Sequence, residues 1–361
     1  MKRTLLNSGK TMNGQMTASS HPRGMGRLAL ITIALASAAG LASPSARAQK
    51  LRAIPASTSQ SAASPLQVVN HLMHNTWTSG ALMPTALQRT AAAVLENQIY
   101  VLGGGTFTEF VADTQIYDVA IDAWNMGVPL PIATGGGCAA TVKDILYFIG
   151  GNTGAAGIAQ YTNAVWAYNP KRNAWTSKAS MPTARASLRC VVDKGIIYAL
   201  GGYNNTGFLA TVESYDPATN TWAEDASMLS PKSVFAAGLI GNTIVVTDGS
   251  DGAADGHTQE YVVTTNTWKW GTSDPTIRQD TCAASIGRRL YSAGGWDGNQ
   301  DNETGLTGTE SFGLSEDSWT TLAPMPQGAW DAGSVAYKGR LYCFGGGNDN
   351  SLLNNVQIYQ P

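Results

Sequence analysis

Six short apolar strands along this chain each end in a glycine doublet or its stand-in, at Gly103-Gly104, Gly150-Gly151, Gly201-Gly202, Asp248-Gly249, Gly294-Gly295 and Gly345-Gly346. Six tryptophans recur in register with them, Trp77, Trp124, Trp175, Trp222, Trp268 and Trp319, spaced 47, 51, 47, 46 and 51 residues apart. All but the first stand seven positions after a Tyr or Phe. A period this regular means one supersecondary unit repeated. It is too long for most helical solenoids and has the length of a propeller blade.

Each doublet is preceded by a run such as Ile99-Tyr100-Val101-Leu102 or Leu341-Tyr342-Cys343-Phe344, whose β-branched and aromatic residues suit a pleated, buried strand. Between Tyr and Trp sits a turn, clearest in Tyr215-Asp216-Pro217-Ala218-Thr219-Asn220-Thr221-Trp222. Pro217 presets one backbone angle and Asn220 tolerates a left-handed one, so two antiparallel strands reverse tightly. The expectation is an all-β, six-bladed β-propeller over residues 67–361.

These residues resemble the kelch repeat, in which a Met-Pro approach and a basic residue lead into an apolar inner strand, Gly-Gly, then Tyr-Asp-Pro and Trp. Met181-Pro182, Arg185, Gly201-Gly202, Tyr215-Asp216-Pro217 and Trp222 follow that order. The fourth repeat departs most, with Val245 where others carry Tyr and Asp248 where others carry Gly. The last repeat runs out at Tyr359-Gln360-Pro361 without a Trp strand, while Trp77 belongs to no preceding repeat. Residues 67–82 are therefore expected to supply the missing outer strand, sealing the ring and removing open sheet edges.

Lys2, Arg3, Lys10, Arg23 and Arg27 precede an apolar run over residues 28–41, and Ala46-Arg47-Ala48 offers a small-residue cleavage site. This reads as a secretory signal peptide over residues 1–48, because fourteen apolar residues are too few to span a bilayer. Residues 49–66, rich in Ala, Ser, Pro and Gln, read as a flexible linker. Loss of residues 1–48 removes six basic residues from 23, leaving 17 against 25 acidic and a formal charge of -8. Nucleic-acid binding is not expected of such a chain, which has no basic cluster to neutralise phosphates. A secreted or periplasmic monomer without a membrane span is expected.

Four cysteines in an exported protein would ordinarily suggest disulfides. Cys138 and Cys282, however, share one register on the second and fifth repeats, opposite one another across a six-bladed ring and too far apart to bridge. Cys190 and Cys343 fall at other positions. All four are read as buried small hydrophobes, with a single bridge as the alternative.

In a blade of antiparallel strands, the loop after Gly-Gly and the Met-Pro loop emerge on one face, where propellers build their sites. Trp296 and Trp330 are not required by the repeat and come from these two loop types of neighbouring blades. Arg278, Asp280, Asp297, Asp331, Asp301 and Glu303 lie near them in sequence, and Tyr203 holds in the third repeat the position of Trp296 in the fifth. Aromatic faces beside carboxylates suit sugar rings, with their apolar C–H faces and hydroxyl edges, or peptide side chains. Arg185, Lys232 and Arg278 share one register, with Arg89 two residues off it, and a structural bond to a loop is expected of them. Asp248 is expected beside the channel mouth, as drift from Gly or as a lone carboxylate on the rim.

Neither cofactor nor metal is expected. Copper needs several imidazoles, and only His21, His71, His74 and His257 are present. The alternation Asp297, Asn299, Asp301, Glu303 lacks the Gly and terminal Glu of a helical calcium loop. The residues point to a binding module for a carbohydrate or a protein or peptide partner on the loop face. The kelch resemblance also implies an alternative, a sugar-modifying enzyme of the sialic-acid mutarotase or epimerase type, although no catalytic motif of that kind stands in the chain.

Overall fold

The computed structural model describes residues 74–154, 158–299, 304–348 and 351–361. The chain divides into two units, Met1–His71 and Leu72–Pro361, and the described residues belong to the second. The signal peptide and linker expected over 1–66 lie outside them, as do Asp301 and Glu303.

Strand alternation and the turn chemistry give six four-stranded antiparallel sheets. Blade one runs Ala91–Leu95, Gln98–Leu102, Thr114–Asp118 and Ala123–Met126 from the axis outward. Blades two to five repeat this order, opening at Cys138–Val142, Arg189–Asp193, Ala236–Ile240 and Cys282–Ile286. Blade six consists of Gly333–Tyr337, Arg340–Phe344, Val356–Gln360 and, outermost, Thr76–Gly80 from the other end of the propeller. The innermost strands touch in sequence and the sixth returns to the first, so the ring is closed. Among the described residues the apolar core forms six clusters, one in each interface between neighbouring blades.

Closure reproduces the internal repeat across the two ends of the propeller. Trp77 faces Tyr359 in the strand register, as Trp222 faces Tyr215, and both ring pairs have centroids 5.1 Å apart. The Tyr215 hydroxyl donates to Asn220 Oδ1 at 2.6 Å, and Tyr359 donates to Asn75 Oδ1 at 2.8 Å. Both asparagines adopt the left-handed backbone that the turn requires. Every repeat tryptophan donates its indole N–H to a carbonyl just past the outer strand of the preceding blade, for instance Trp222 to Ala179 and Trp77 to Ala323, each at 2.9 Å. The expected closing segment, 67–82, contributes its paired strand as Thr76–Gly80.

The glycine doublets have a steric origin. At Gly103, φ is +58° and an added Cβ would meet the Thr134 carbonyl oxygen of the next blade at 2.3 Å. The N–H of the second doublet residue donates to that same inter-blade loop, as from Gly104 to Thr134 at 2.9 Å. Blades therefore approach backbone to backbone, which only a residue without Cβ permits cheaply.

The reading of four unpaired cysteines is corrected. Cys138 bonds to Cys190 and Cys282 to Cys343, with Cα separations of 5.5 and 5.7 Å. Comparing like registers picked Cys138 and Cys282, on blades two and five. The bridges instead join adjacent blades: Cys138 to Cys190 between the inner strands of blades two and three, and Cys282 on the inner strand of blade five to Cys343 on the second strand of blade six.

Candidate ligand site at the mouth of the axial channel

One residue per blade, just before each inner strand, turns left-handed around the axis: Arg89, Gly136, Ser187, Val234, Asp280 and Asp331, with φ between 51° and 67°. Each donates its backbone N–H to the carbonyl of its counterpart in the preceding blade, from Gly136 to Arg89 at 2.9 Å round to Arg89 to Asp331 at 2.8 Å. Six hydrogen bonds close on themselves. The strained conformation is imposed by this cycle, since even the β-branched Val234 adopts it. The sequence signal for it is weak, because the backbone makes the cycle and side chains as different as Arg, Ser, Val and Asp, or none at Gly136, serve.

The side chains of this cycle decide what lies at the mouth. Arg89 Nε and Asp331 Oδ2 pair at 3.0 Å, with the arginine side chain 49% exposed and the aspartate 11%. Asp280 lies beside Asp331, and its buried Oδ1 has no hydrogen-bond partner among the described residues. Burial pushes the Asp280 carboxyl well above the usual carboxylate range; the Asp331 charge adds to this, and Arg89 and Arg189 oppose it. With Asp331 paired to Arg89, the preference of the two carboxyl groups for a proton is raised at Asp280. From below, Arg189 reaches across the axis, donating from Nε to the Phe235 carbonyl at 2.6 Å and from Nη2 to that of Thr281 at 3.2 Å. Beneath it an axial cavity of about 410 Å³ is lined by small residues of all six inner strands, Ala92, Ala139 and Cys190 among them.

Above the charged floor opens a cavity of about 380 Å³. Its walls are Trp296, Trp330 and Phe107, with Gln279, and its floor is Arg89, Asp280 and Asp331. Trp296 and Trp330 occupy positions at which each blade pairs an inter-blade loop with the loop after its doublet, Gln279 with Trp296 and Trp330 with Gly347. The Trp330 ring lies over Gly347, where an added Cβ would come within 2.5 Å of it. The Trp296 indole N–H donates to the Asn299 carbonyl at 3.1 Å.

Of the residues singled out from the sequence, Trp296, Trp330, Asp280 and Asp331 thus come together in one cavity. Tyr203 sits elsewhere on the same rim, 36% exposed, its ring meeting Tyr161 at 6.0 Å and Phe208 at 4.9 Å. Asp297 is exposed and accepts from the Asn299 N–H, a local turn. Asp248 and Arg278 do not reach the rim, for both are fully buried. Arg278 is flanked by Asp274 at 2.8 Å, Glu310 at 2.5 Å and Asp248 at 3.6 Å, and the Ser292 hydroxyl donates to Asp248 at 2.6 Å. The expected lone carboxylate on the rim is therefore an inward-facing group beside a buried guanidinium. Arg185 likewise pairs with Glu213 at 2.6 Å under its loop. Arg89, two residues off that register, is the basic residue that reaches the cavity; Phe107, Gln279 and Arg189 were not singled out, having no repeat signal of their own. No group of three or more His, Cys, Asp or Glu side chains suited to a metal ion occurs among the described residues.

Comparison with known proteins supports the repeat assignment. A model described as the KLHDC2/KLHL20/DRC7 Kelch-repeats domain matches residues 129–295. The Kelch motif model matches residues 87–131, 277–326 and 331–361. The chain is similar to Kelch-like protein 36 of Rattus norvegicus, 28% identical over 207 residues, covering 55% of this chain and 33% of that protein. Kelch-like protein 23 of Homo sapiens is 28% identical over 205 residues, covering 55% and 35%. Kelch-like protein terF of Aspergillus terreus is 26% identical over 307 residues, covering 81% and 57%. The chain thus spans between a third and about half of the length of these relatives. Among solved structures, one described as "Structure of YjhT" superposes with a TM-score of 0.66 at 18% identity, covering 77% of this chain and 96% of that one.

Proposed function

This chain belongs to the kelch-repeat family of β-propellers, and on that premise we propose that it is a binding module that takes a carbohydrate at the mouth of its axial channel. The observation that carries the reading is the cavity itself: two tryptophans and a phenylalanine around a floor of one arginine and two aspartates. Aromatic walls stack on the C–H faces of a sugar ring, while the floor exchanges hydrogen bonds with its hydroxyls. Asp280, pushed toward its protonated form by burial, and Asp331, paired with Arg89, present carboxyl groups of unlike character to a hydroxyl, which both donates and accepts. The volume falls within the range of pockets that enclose small ligands. Kelch propellers in general bind protein partners, and a peptide is the other ligand these walls accept.

The test is a combined glycan and peptide array probed with the full propeller and its Trp296→Ala and Trp330→Ala variants. Each replacement is expected to weaken glycan binding by roughly two- to twelve-fold, the equivalent of about 0.5 to 1.5 kcal/mol for an aromatic contact. Peptide binding without glycan binding refutes the carbohydrate reading.

One observation favours a second reading, proton-transfer chemistry on a bound sugar. Two adjacent carboxyl groups in unlike surroundings, Asp280 pushed toward its protonated form by burial and Asp331 paired with Arg89, suit the acid and base roles that such chemistry needs. A mutarotase or epimerase would act in this way. Anomer exchange of reducing sugars followed by NMR separates the two readings: acceleration lost in Asp280→Asn supports the enzyme, and none supports the binder.

The reading includes export, supported by the basic and apolar start of the sequence and by two disulfides, which persist in oxidising compartments. The exported protein is expected to begin near Gln49 on N-terminal sequencing, and a cytoplasmic product that retains Met1 refutes export.

A further inference from the structure

The cavity accounts for one side of the rim and leaves a second group of aromatic side chains unused. Tyr161 from blade two meets Tyr203 from blade three, and Tyr203 meets Phe208 across a two-residue hairpin, ring centroids 6.0 and 4.9 Å apart and both pairs edge to face. The fold does not ask for these rings. The position after each doublet is held by backbone pairing to the neighbouring loop and is filled by Gly105, Asn152, Tyr203, Ser250, Trp296 and Gly347 in turn. Only two of the six are aromatic there: Trp296, which walls the cavity, and Tyr203. The fold thus accepts Gly, Asn or Ser where Tyr203 leaves its ring 36% exposed to solvent.

The two aromatic groups lie on either side of Arg89: its side chain belongs to the cavity floor, and its charge is felt at the Tyr161 hydroxyl. Across the mouth there is thus an aromatic wall at blades five and six, a charged floor, and an aromatic ladder at blades two and three.

Resting on the carbohydrate reading, we propose that Tyr161, Tyr203 and Phe208 form a second sugar subsite and that the ligand is an oligosaccharide chain laid across the mouth, rather than a single ring. One sugar ring fills the cavity against Trp296 and Trp330, and a ring further along the chain stacks on Tyr203. Oligosaccharides are the ligand class that repeats an apolar face at intervals along one chain, which is what two separate aromatic platforms flanking a polar floor can read.

The experiment uses a glycan array on which each structure is present from mono- to hexasaccharide, probed with the full propeller. Binding is expected to strengthen with chain length, because the second stack adds to the first. In Tyr203→Ala and Phe208→Ala the ratio of hexasaccharide to monosaccharide affinity falls by roughly two- to twelve-fold. In Trp296→Ala both affinities fall and the ratio is kept. Tyr203→Phe retains the ring and keeps the ratio, which separates stacking from a folding defect. Binding that does not depend on length, or a ratio unchanged in Tyr203→Ala, overturns the second subsite and leaves the cavity reading intact. No binding to any glycan overturns both.

Discussion

Replacing Trp77 by Ala tests whether the ring is held shut by the same contacts that build every blade. Trp77 loses three things: the part-buried indole against Tyr359, its hydrogen bond to the Ala323 carbonyl at 2.9 Å, and the aromatic pairing at 5.1 Å. Full burial would make a Trp→Ala change cost about 3 to 5 kcal/mol. Trp77 is only part-buried, so about half of that applies, and the hydrogen bond and ring pair contribute about 1 kcal/mol each. The terms overlap, which puts the loss near 3 kcal/mol. At about 2 °C per kcal/mol for a domain of this size, the Tm is expected to fall by about 6 °C. Trp222→Ala is the internal standard, with the same 5.1 Å pair and a 2.9 Å bond to Ala179, but on a strand that follows its pairing partner directly in sequence. Calorimetry should therefore give similar losses for the two, while hydrogen exchange distinguishes them. In Trp77→Ala the amides of Val356–Gln360, which face Thr76–Gly80, should lose protection selectively. A Trp77→Ala protein that melts with the parent and keeps those amides protected, while Trp222→Ala is destabilised, refutes closure by these contacts.

Reduction of the disulfides is expected to lower the Tm in a differential scan with and without dithiothreitol, since cross-links closing loops of 52 and 61 residues stabilise by about 4 kcal/mol each in the chain-entropy account; an unchanged Tm with free thiols by titration refutes the staples. Arg278→Met strands Asp248, Asp274 and Glu310 without their shared cation and should cost about 3 to 5 kcal/mol by chemical denaturation, a cost absent if the cluster is not buried as described. Asp280 and Asp248 both have pKa values raised above the ordinary 3.8, so the folded protein holds protons that the unfolded chain releases. Their contribution is present in full below pH about 4 and is lost as pH rises through the folded values. Tm is thus expected to fall from mildly acidic toward alkaline pH, and Asp280→Asn to flatten part of that slope; a slope of opposite sign, or one the variant leaves untouched, refutes the assignment.

Much of the fold was legible because each part rests on a local rule repeated several times. A glycine doublet marks where a Cβ would strike the next blade, and a Tyr with an Asn five positions on marks the turn that their hydrogen bond locks, as in Tyr215 and Asn220. Trp77 could be assigned to the last blade because it lacked the partner that Tyr359 in turn lacked. The cysteines were misread because the repeat says which positions are equivalent and not which are adjacent. Cys138 and Cys190 meet only after neighbouring inner strands have converged on the axis.

The site divides along the same line. Trp296 and Trp330 stood out in the sequence as aromatics that no repeat position demands, and Asp280 and Asp331 stood beside them. Whether a nearby charge faces the mouth or the interior is set by two residues of register. Arg278 points inward to Asp274 and Glu310, whereas Asp280 turns left-handed into the axial cycle and meets Asp331 and Arg89 there. Arg89, noted in the sequence only as off the basic register, joins the carboxylates at the mouth, and Phe107 and Arg189 reach it from blades remote in sequence with no spacing to announce them. The sequence by itself determined what recurs: the blades, their turns, their closing strand and the face on which loops gather. Only the tertiary structure decided what converges, namely the paired carboxylates, the cross-blade disulfides and the aromatic rim, because periodicity specifies each blade's own contacts, and the distances between different blades' side chains exist only once the ring has closed.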